Sequence, residues 1–244
     1  RKLHCAYYSD FLFHHKSGFT IFENPNEPVV IAIDKELDNI RVMWDWAIEH
    51  QQFTMINRAS DSLYHYYRLS EACGEATDVF RKAIMMIETA DPFPDQNSLL
   101  AKLLSMLAYH AKFYSLDEFA QEVAQSGLSL ARQLNIPEVQ ARCLVILGDL
   151  ALDFGHYEEA RLYLEESIEL YTQLGEIYED QYPHLLVALT YRNLGEYELA
   201  NQSYHNIIKT GKKRQSDSIV AWTLSHLENN KTQRRKKYLR DSVS

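Results

Sequence analysis

Three alanines, Ala120, Ala160 and Ala200, stand 40 residues apart, and each closes a similar short pattern. The residues before them are Leu116-Asp117-Glu118-Phe119, His156-Tyr157-Glu158-Glu159 and Glu196-Tyr197-Glu198-Leu199. Self-similarity at fixed phase constrains the fold strongly. Each copy forms the same supersecondary unit, and each hides its apolar side against its neighbour. The middle copy shows what the unit is. From Leu147-Gly148 to Ile168 the sequence reads as two helices hinged at Gly155. On the second, Tyr157, Ala160, Leu164, Ile168 and Tyr171 recur at three- and four-residue steps, one apolar stripe of a 3.6-residue period. Gly148 and Ala160 are small where two antiparallel helices approach, since a larger side chain would push their axes apart.

Leu147, Gly148, Tyr157, Ala160 and Leu164 together resemble a tetratricopeptide (TPR) repeat, and the resemblance covers residues 57–210. The spacing exceeds the usual ~34 residues, so HEAT-like pairs of roughly 40–47 residues are the fold-level rival. The Leu-Gly and Gly-x-Tyr-x-x-Ala signatures favour TPR, with the extra residues in longer helices and loops. The expected class is all-α, with antiparallel helix pairs stacked as a TPR-like right-handed superhelix, an α-solenoid. Composition agrees: 8 Gly and 6 Pro in 244 residues leave few turn-makers, so long helices with short connections follow.

Along the chain, residues 1–52 read as an N-terminal helical adaptor, 53–210 as about four helix pairs, and 211–244 as a capping helix with a basic tail. The first helix occupies residues 1–17, with Leu3, Ala6, Tyr7, Phe11 and Phe13 or His14 in near-helical spacing. In residues 19–33, β-branched runs flank Asn24-Pro25-Asn26-Glu27-Pro28, which leaves a short hairpin and an extended apolar loop as alternatives. Asp34 is the expected N-cap of a helix to about His50. The pairs then follow as Phe53–Ser70 with Gly74–Thr89, and Asn97–Tyr114 with Leu116–Leu134, with Pro137 opening the next. Asp217 or Ser218 caps a last helix whose Ile219, Trp222, Leu224 and Leu227 cover the end of the stack. Beyond it, Lys231 and Arg234-Arg235-Lys236-Lys237 are basic. That run is either a docking or nucleic-acid tail or, in the reading we favour, a frayed and solvated chain end.

A second resemblance is carried by Glu36-Leu37-Asp38-Asn39-Ile40-Arg41 followed by Trp44-Asp45-Trp46-Ala47-Ile48-Glu49. This segment is similar to one in the helical sensor domain C-terminal to the NTPase module of bacterial STAND regulators, LuxR-like and AfsR-like. His4 and Tyr7-Tyr8 resemble the opening of that domain. Leu63-Tyr64-His65-Tyr66-Tyr67-Arg68-Leu69 and Phe80-Arg81-Lys82-Ala83-Ile84 resemble its later helices. The departures are Ile40 for Leu, Val42-Met43 for Ala-Leu, and Glu71 for a common Gly, which leave the subfamily open. The resemblance implies a cytoplasmic sensor and interaction arm that holds an upstream NTPase module inactive until a ligand or protein binds. It places a hinge near Arg1–Phe11. A plain TPR scaffold, joining protein partners without switching, is the alternative.

No catalytic motif is present: no Gly-rich phosphate loop, no H-E-x-x-H, no C-x-x-C and no Gly-x-Ser-x-Gly. No catalytic residue, metal site or cofactor is expected, and any ATPase activity would reside upstream. Cys5, Cys73 and Cys143 are far apart and read as buried small residues. His14-His15 point about 100° apart and make a poor metal clamp. Glu158-Glu159 and Glu165-Glu166 read as a solvated helix face. The Trp44/Trp46 and Tyr64/Tyr66/Tyr67 clusters read as packing. A formal charge of -9 argues against direct nucleic-acid binding by this chain. No apolar run reaches the roughly 18–20 residues of a membrane span. The chain opens with Arg1-Lys2-Leu3, without signal peptide or initiator Met, and is expected to be a piece of something longer.

In TPR repeats the first helix of each pair lines a groove that binds peptides or ligands. Counting back from each repeat's alanine gives Arg58, Asp61, His65 and Arg68, then Lys102, Ser105, Tyr109, Lys112 and Phe113. The later copies give Arg142, Asp149 and Asp153, then Tyr182, Arg192 and Asn193. Six of these fifteen are Lys or Arg in an acidic chain. The expected groove is therefore basic toward its N-terminal end and suited to an acidic peptide, a protein segment or a small anionic ligand.

Overall fold

A computed structural model of the 244-residue chain describes residues 1–16, 28–70, 72–175, 181–213 and 217–241. The chain divides into two compact units, Arg1–Val139 and Gln140–Ser244. Among the described residues every regular element is a helix.

The first unit opens with α1 (Lys2–His15), α2 (Pro28–Lys35) and α3 (Leu37–Glu49). Two pairs follow: α4 (Phe53–Leu69) with α5 (Cys73–Thr89), and α6 (Gln96–Phe113) with α7 (Asp117–Gln133). α8 (Pro137–Asp153) begins at the unit boundary and pairs with α9 (Tyr157–Leu174). The second unit continues with α10 (Gln181–Asn193), α11 (Tyr197–Lys213) and α12 (Asp217–Asp241). Within it α9, α10, α11 and α12 each pack on the next in chain order, the nearest-neighbour pattern of a solenoid. The fold class is thus an all-helical, TPR-like α-solenoid.

The 40-residue period has a backbone cause. Ser115, Gly155 and Gly195 hold φ of 55°, 79° and 78°, each just past the end of a pair's first helix. The next residue's N–H then reaches back to close the turn: Leu116 to the Ala111 carbonyl, His156 to Ala151, Glu196 to Tyr191. These are Schellman turns, in which a left-handed residue lets two amides satisfy the last carbonyls of the helix. Just beyond, Asp117-Glu118, Glu158-Glu159 and Glu198 place carboxylates in the first turn of the following helix, where its dipole favours them. Ala120, Ala160 and Ala200 are each fully buried. Between α8 and α9 a Cβ built on Gly148 would fall 2.5 Å from Leu164 Cγ, so the close approach expected there is real.

Several expectations change. Residues 17–27, most of the supposed hairpin or loop, lie outside the described residues, but Pro28–Lys35 is helical. Burial of Val29, Val30 and Ile33 overrides the extended preference of β-branched residues, and Pro28 suits a first helical position. Asp34 therefore lies inside α2 and caps nothing; its carboxylate accepts the Tyr66 hydroxyl at 3.0 Å. On α1 the buried face is Cys5, Tyr8, Ser9 and Leu12, while Leu3, Tyr7 and Phe13 face solvent. Small Cys5 and Ser9 allow close packing on α3 and α4, which the aromatic stripe would prevent. Ile219 and Leu227 pack against the second unit's core, but Trp222 and Leu224 are exposed. The basic run lies on α12, which extends to Asp241, and Arg234 within it pairs with Glu198 of α11.

Candidate functional site

The residues counted from the repeat alanines fall on the first helices of the pairs, and some tie one such helix to the next. In the first unit, Asp61 on α4 is only 8% exposed and accepts two cations, Lys102 Nζ of α6 at 3.0 Å and Lys16 Nζ at 2.8 Å. Lys102 also donates to the Asn57 carbonyl and side-chain oxygens, both at 3.0 Å. In the second unit, buried Asp149 on α8 accepts the Tyr182 hydroxyl of α10 at 2.7 Å. Arg192 of α10 lies 3.4 Å from His226 Nδ1 of α12.

The remaining residues are placed as follows. Arg58 pairs with Asp10 of α1 at 2.8 Å, with its guanidinium 4.5 Å from the Phe13 ring centre. Arg68 lies over the Tyr64 and Tyr109 rings at 5.4 and 4.8 Å. His65 sits edge-on to Tyr64, and buried Ser105 donates to the Lys102 carbonyl. Tyr109 stacks obliquely on Phe113, over which Lys112 Nζ lies at 5.6 Å. In the second unit Arg142 is half-buried, and Asp153 and Asn193 are exposed.

The first unit's positive charge is thus partly compensated inside the fold. Arg58 and Lys102 have carboxylate partners in Asp10 and Asp61. Sequence reasoning missed Asp10 and Lys16 because it assigned the first helix to a separate adaptor. Their acidic and basic characters opposite Arg58 and Asp61 were the only signal, and pairing them requires knowing that α1 packs on α4.

His110 was also missed. It is 2% exposed, stacks on Phe80 at 5.6 Å and 12°, and meets Tyr64, Tyr67 and Tyr109 edge-on. Burial first, and the nearby Arg68 charge second, pull its pKa down to about 3, so the ring is a neutral core group.

The residues of the Glu36–Glu49 segment form a polar clasp. Glu36 accepts the Tyr8 hydroxyl at 2.7 Å and the Asn39 amide at 2.9 Å, which hold its carboxyl below the ordinary range. Arg41 makes a two-pronged pair with Glu75 of α5 and reaches Asp38 at 2.8 Å. The Trp44 indole N–H donates to the Val79 carbonyl of α5 at 3.2 Å. Beside this clasp, a cavity of about 240 Å³ opens between α3, α4 and α5. Among the described residues no His, Cys, Asp or Glu group has the arrangement of a metal site, and no helix is long and apolar enough to cross a membrane.

Helix pairs joined first helix to first helix, with backbone turns at a constant phase, define a TPR-like helical protein, a fold suited to protein interaction. The tetratricopeptide repeat family model matches residues 141–174, the α8–α9 pair. The chain is also similar to the crystal structure of aspartyl phosphate phosphatase F from Bacillus subtilis, with a TM-score of 0.58 and 19% identity over 81% of this chain. It spans 52% of that structure's length. No curated protein matches.

Proposed function

We propose that this chain is a non-catalytic protein-interaction arm, the sensor part of a STAND-type signalling ATPase. Its partner-binding surfaces are the faces carried by the first helices of the pairs, α4 and α6 in one unit and α8 and α10 in the other. The observation that supports a working face is the set of bonds between successive first helices, Lys102 to Asp61 and Tyr182 to Asp149, which hold these helices side by side. Arg68, Tyr109 and Lys112 then offer cationic and aromatic groups to an acidic peptide or a small anionic ligand. The sensor assignment is supported by the clasp, because Tyr8, Glu36, Asn39, Arg41 and Trp44 all belong to the segments similar to that family. The phosphatase activity for which the Bacillus subtilis protein is named forms no part of this proposal, since 19% identity carries the fold alone.

The coding sequence upstream of Arg1 tests the sensor assignment. A G-x-x-x-x-G-K-[ST] loop there upholds it, and a different upstream sequence leaves a plain scaffold. The surface itself is tested by melting the chain with acidic peptides and small anionic metabolites. A ligand that binds only the folded state raises the melting temperature in proportion to the logarithm of its concentration. Replacing Lys112 with Glu is expected to abolish that rise.

A further inference from the structure

The cavity between α3, α4 and α5 lies among helices that touch sparingly, because α3 and α5 meet chiefly through side chains that bridge them. Its floor is apolar, with Leu63 and Trp44, and includes Tyr67. Tyr67 is 1% exposed and lines this space, yet among the described residues no hydrogen bond holds its hydroxyl. A phenol oxygen in the wall of an open cavity can accept a hydrogen bond from a polar group that enters it. Burial and the carboxylate of Glu75 raise its pKa, so the hydroxyl stays protonated and neutral.

The charges around the mouth are unequal. Arg41 is engaged by Glu75 and Asp38, and those charges satisfy one another. Lys82 stands 4.0 Å from Asp45, a loose contact at exposed side chains. Asp78, one turn before Lys82 on α5, is exposed and has no ion pair or hydrogen bond among the described residues. The lining therefore keeps one uncompensated carboxylate above an aromatic and aliphatic floor.

We propose that this cavity binds a small primary ammonium group on an apolar stem. Asp78 takes the charge, the Tyr67 oxygen accepts an N–H, and the stem lies against Trp44 and Leu63. An ammonium fits the available acceptors, and the Trp and Tyr rings attract a cation where an anion would be repelled. The volume is below the roughly 300–1,000 Å³ of sites for drug-sized molecules, which limits the occupant to a small amine or a single lysine side chain. This site does not depend on the sensor assignment.

Calorimetric titration of the whole chain with phenethylamine and with N-acetyl-lysine methylamide tests it. 2-Phenylethanol and phenylacetate serve as the neutral and anionic counterparts. Saturable binding of an amine, with none by the alcohol or acid, is expected. Asp78→Asn is expected to weaken it about tenfold, or about 1.4 kcal/mol. Tyr67→Phe keeps the ring and is expected to weaken it about threefold. Tighter binding of the lysine amide assigns the site to a partner's lysine, and tighter binding of phenethylamine to a free amine; both uphold the ammonium chemistry. No saturable amine binding at about 10 mM, equal binding of the alcohol, or unchanged affinity in both variants overturns it.

Discussion

The α8–α9 pair and the α1–α5 region solve one problem, fixing helix against helix, by opposite means. Between α8 and α9 the contact is made by absence: Gly148 leaves room for Leu164, with the Ala160 carbonyl 3.4 Å from where a Cβ would stand. In α1–α5 it is made by large and polar groups, with Tyr66, Tyr67 and Phe80 fully buried and Arg41, Glu75, Tyr8 and Glu36 bonded around them. Close backbone approach tolerates only small residues at fixed offsets, so it leaves a recurrent mark on the sequence. An aromatic core admits many arrangements of similar volume and leaves none. This accounts for a repeat match confined to residues 141–174 while similar helix pairs extend on either side.

The contrast breaks most sharply at Gly148. Gly148→Val would set atoms within 2.5 Å of Leu164 Cγ, a branch point that cannot swing aside, and overpacking of this kind costs about 3 kcal/mol. Urea denaturation is expected to show that loss. Adding Leu164→Ala to the Gly148→Val variant is expected to return part of it, so the two changes combine non-additively. A Gly148→Val variant as stable as the native chain would remove small-residue packing as the cause of the repeat.

The aromatic region has its own signature, which is pH. Unfolded His110 takes up a proton below its ordinary value of 6.5, whereas in the fold it remains neutral down to about 3. Between those values the unfolded state binds more protons, so stability falls as pH drops from about 6.5 toward 3. Between pH 7 and pH 5 this amounts to about 2 kcal/mol. Replacing the ring by Phe is expected to flatten that dependence in urea melts, while no change at Gly148 should alter it. Equal slopes for native protein and the His110→Phe variant would mean that His110 is solvated.

The turns test the repeat without touching either core. Ser115 holds a left-handed φ of 55° at the position where the later copies have Gly155 and Gly195. A non-glycine residue there carries about 1 kcal/mol of strain. Ser115→Gly is therefore expected to raise stability by about 1 kcal/mol, reduced by glycine's greater freedom when unfolded, and Gly155→Ala to lower it by a similar amount. Thermal melts of the two variants should move in opposite directions.

What could be read from the sequence follows from how local its causes are. Phe53–Ser70 differs from the observed Phe53–Leu69 by one residue, and Pro137 opens α8 as expected, because stripes, prolines and turn residues act within a few positions. Counting back from the repeat alanines placed Asp61, Lys102, Asp149 and Tyr182 on first helices for the same reason. Their partners were out of reach. Whether Lys102 faces solvent or Asp61, and whether Arg58 meets a ligand or Asp10, depends on helices 41 and 48 residues away. The helix at Pro28–Lys35 was missed because tertiary burial outweighs the β-branched preference of Val29, Val30 and Ile31. The spacing of Leu3, Tyr7 and Phe11 marked α1 as a helix but not which face it buries, because Cys5 and Ser9 look incidental beside five aromatic or aliphatic neighbours.

The smallest expected effect bears most directly on the sensor assignment, because it concerns the polar clasp. Arg41 and Glu75 are two-fifths exposed, so solvent screens their pair and a double-mutant cycle to alanine should return only about 0.5 kcal/mol. The second unit offers a control in Arg161 and Glu196, separated by 3.6 Å without the two-pronged geometry, for which the coupling should be near zero. Raising the salt to about 1 M shortens the screening length to about 3 Å and should shrink the Arg41 coupling toward the control. A planar guanidinium fixes direction as well as energy, so Arg41→Lys should lose most of the coupling while keeping the charge. If Arg41→Lys keeps it all, charge alone holds α3 to α5, and the clasp gives no reason for arginine at that place in the Glu36–Arg41 segment.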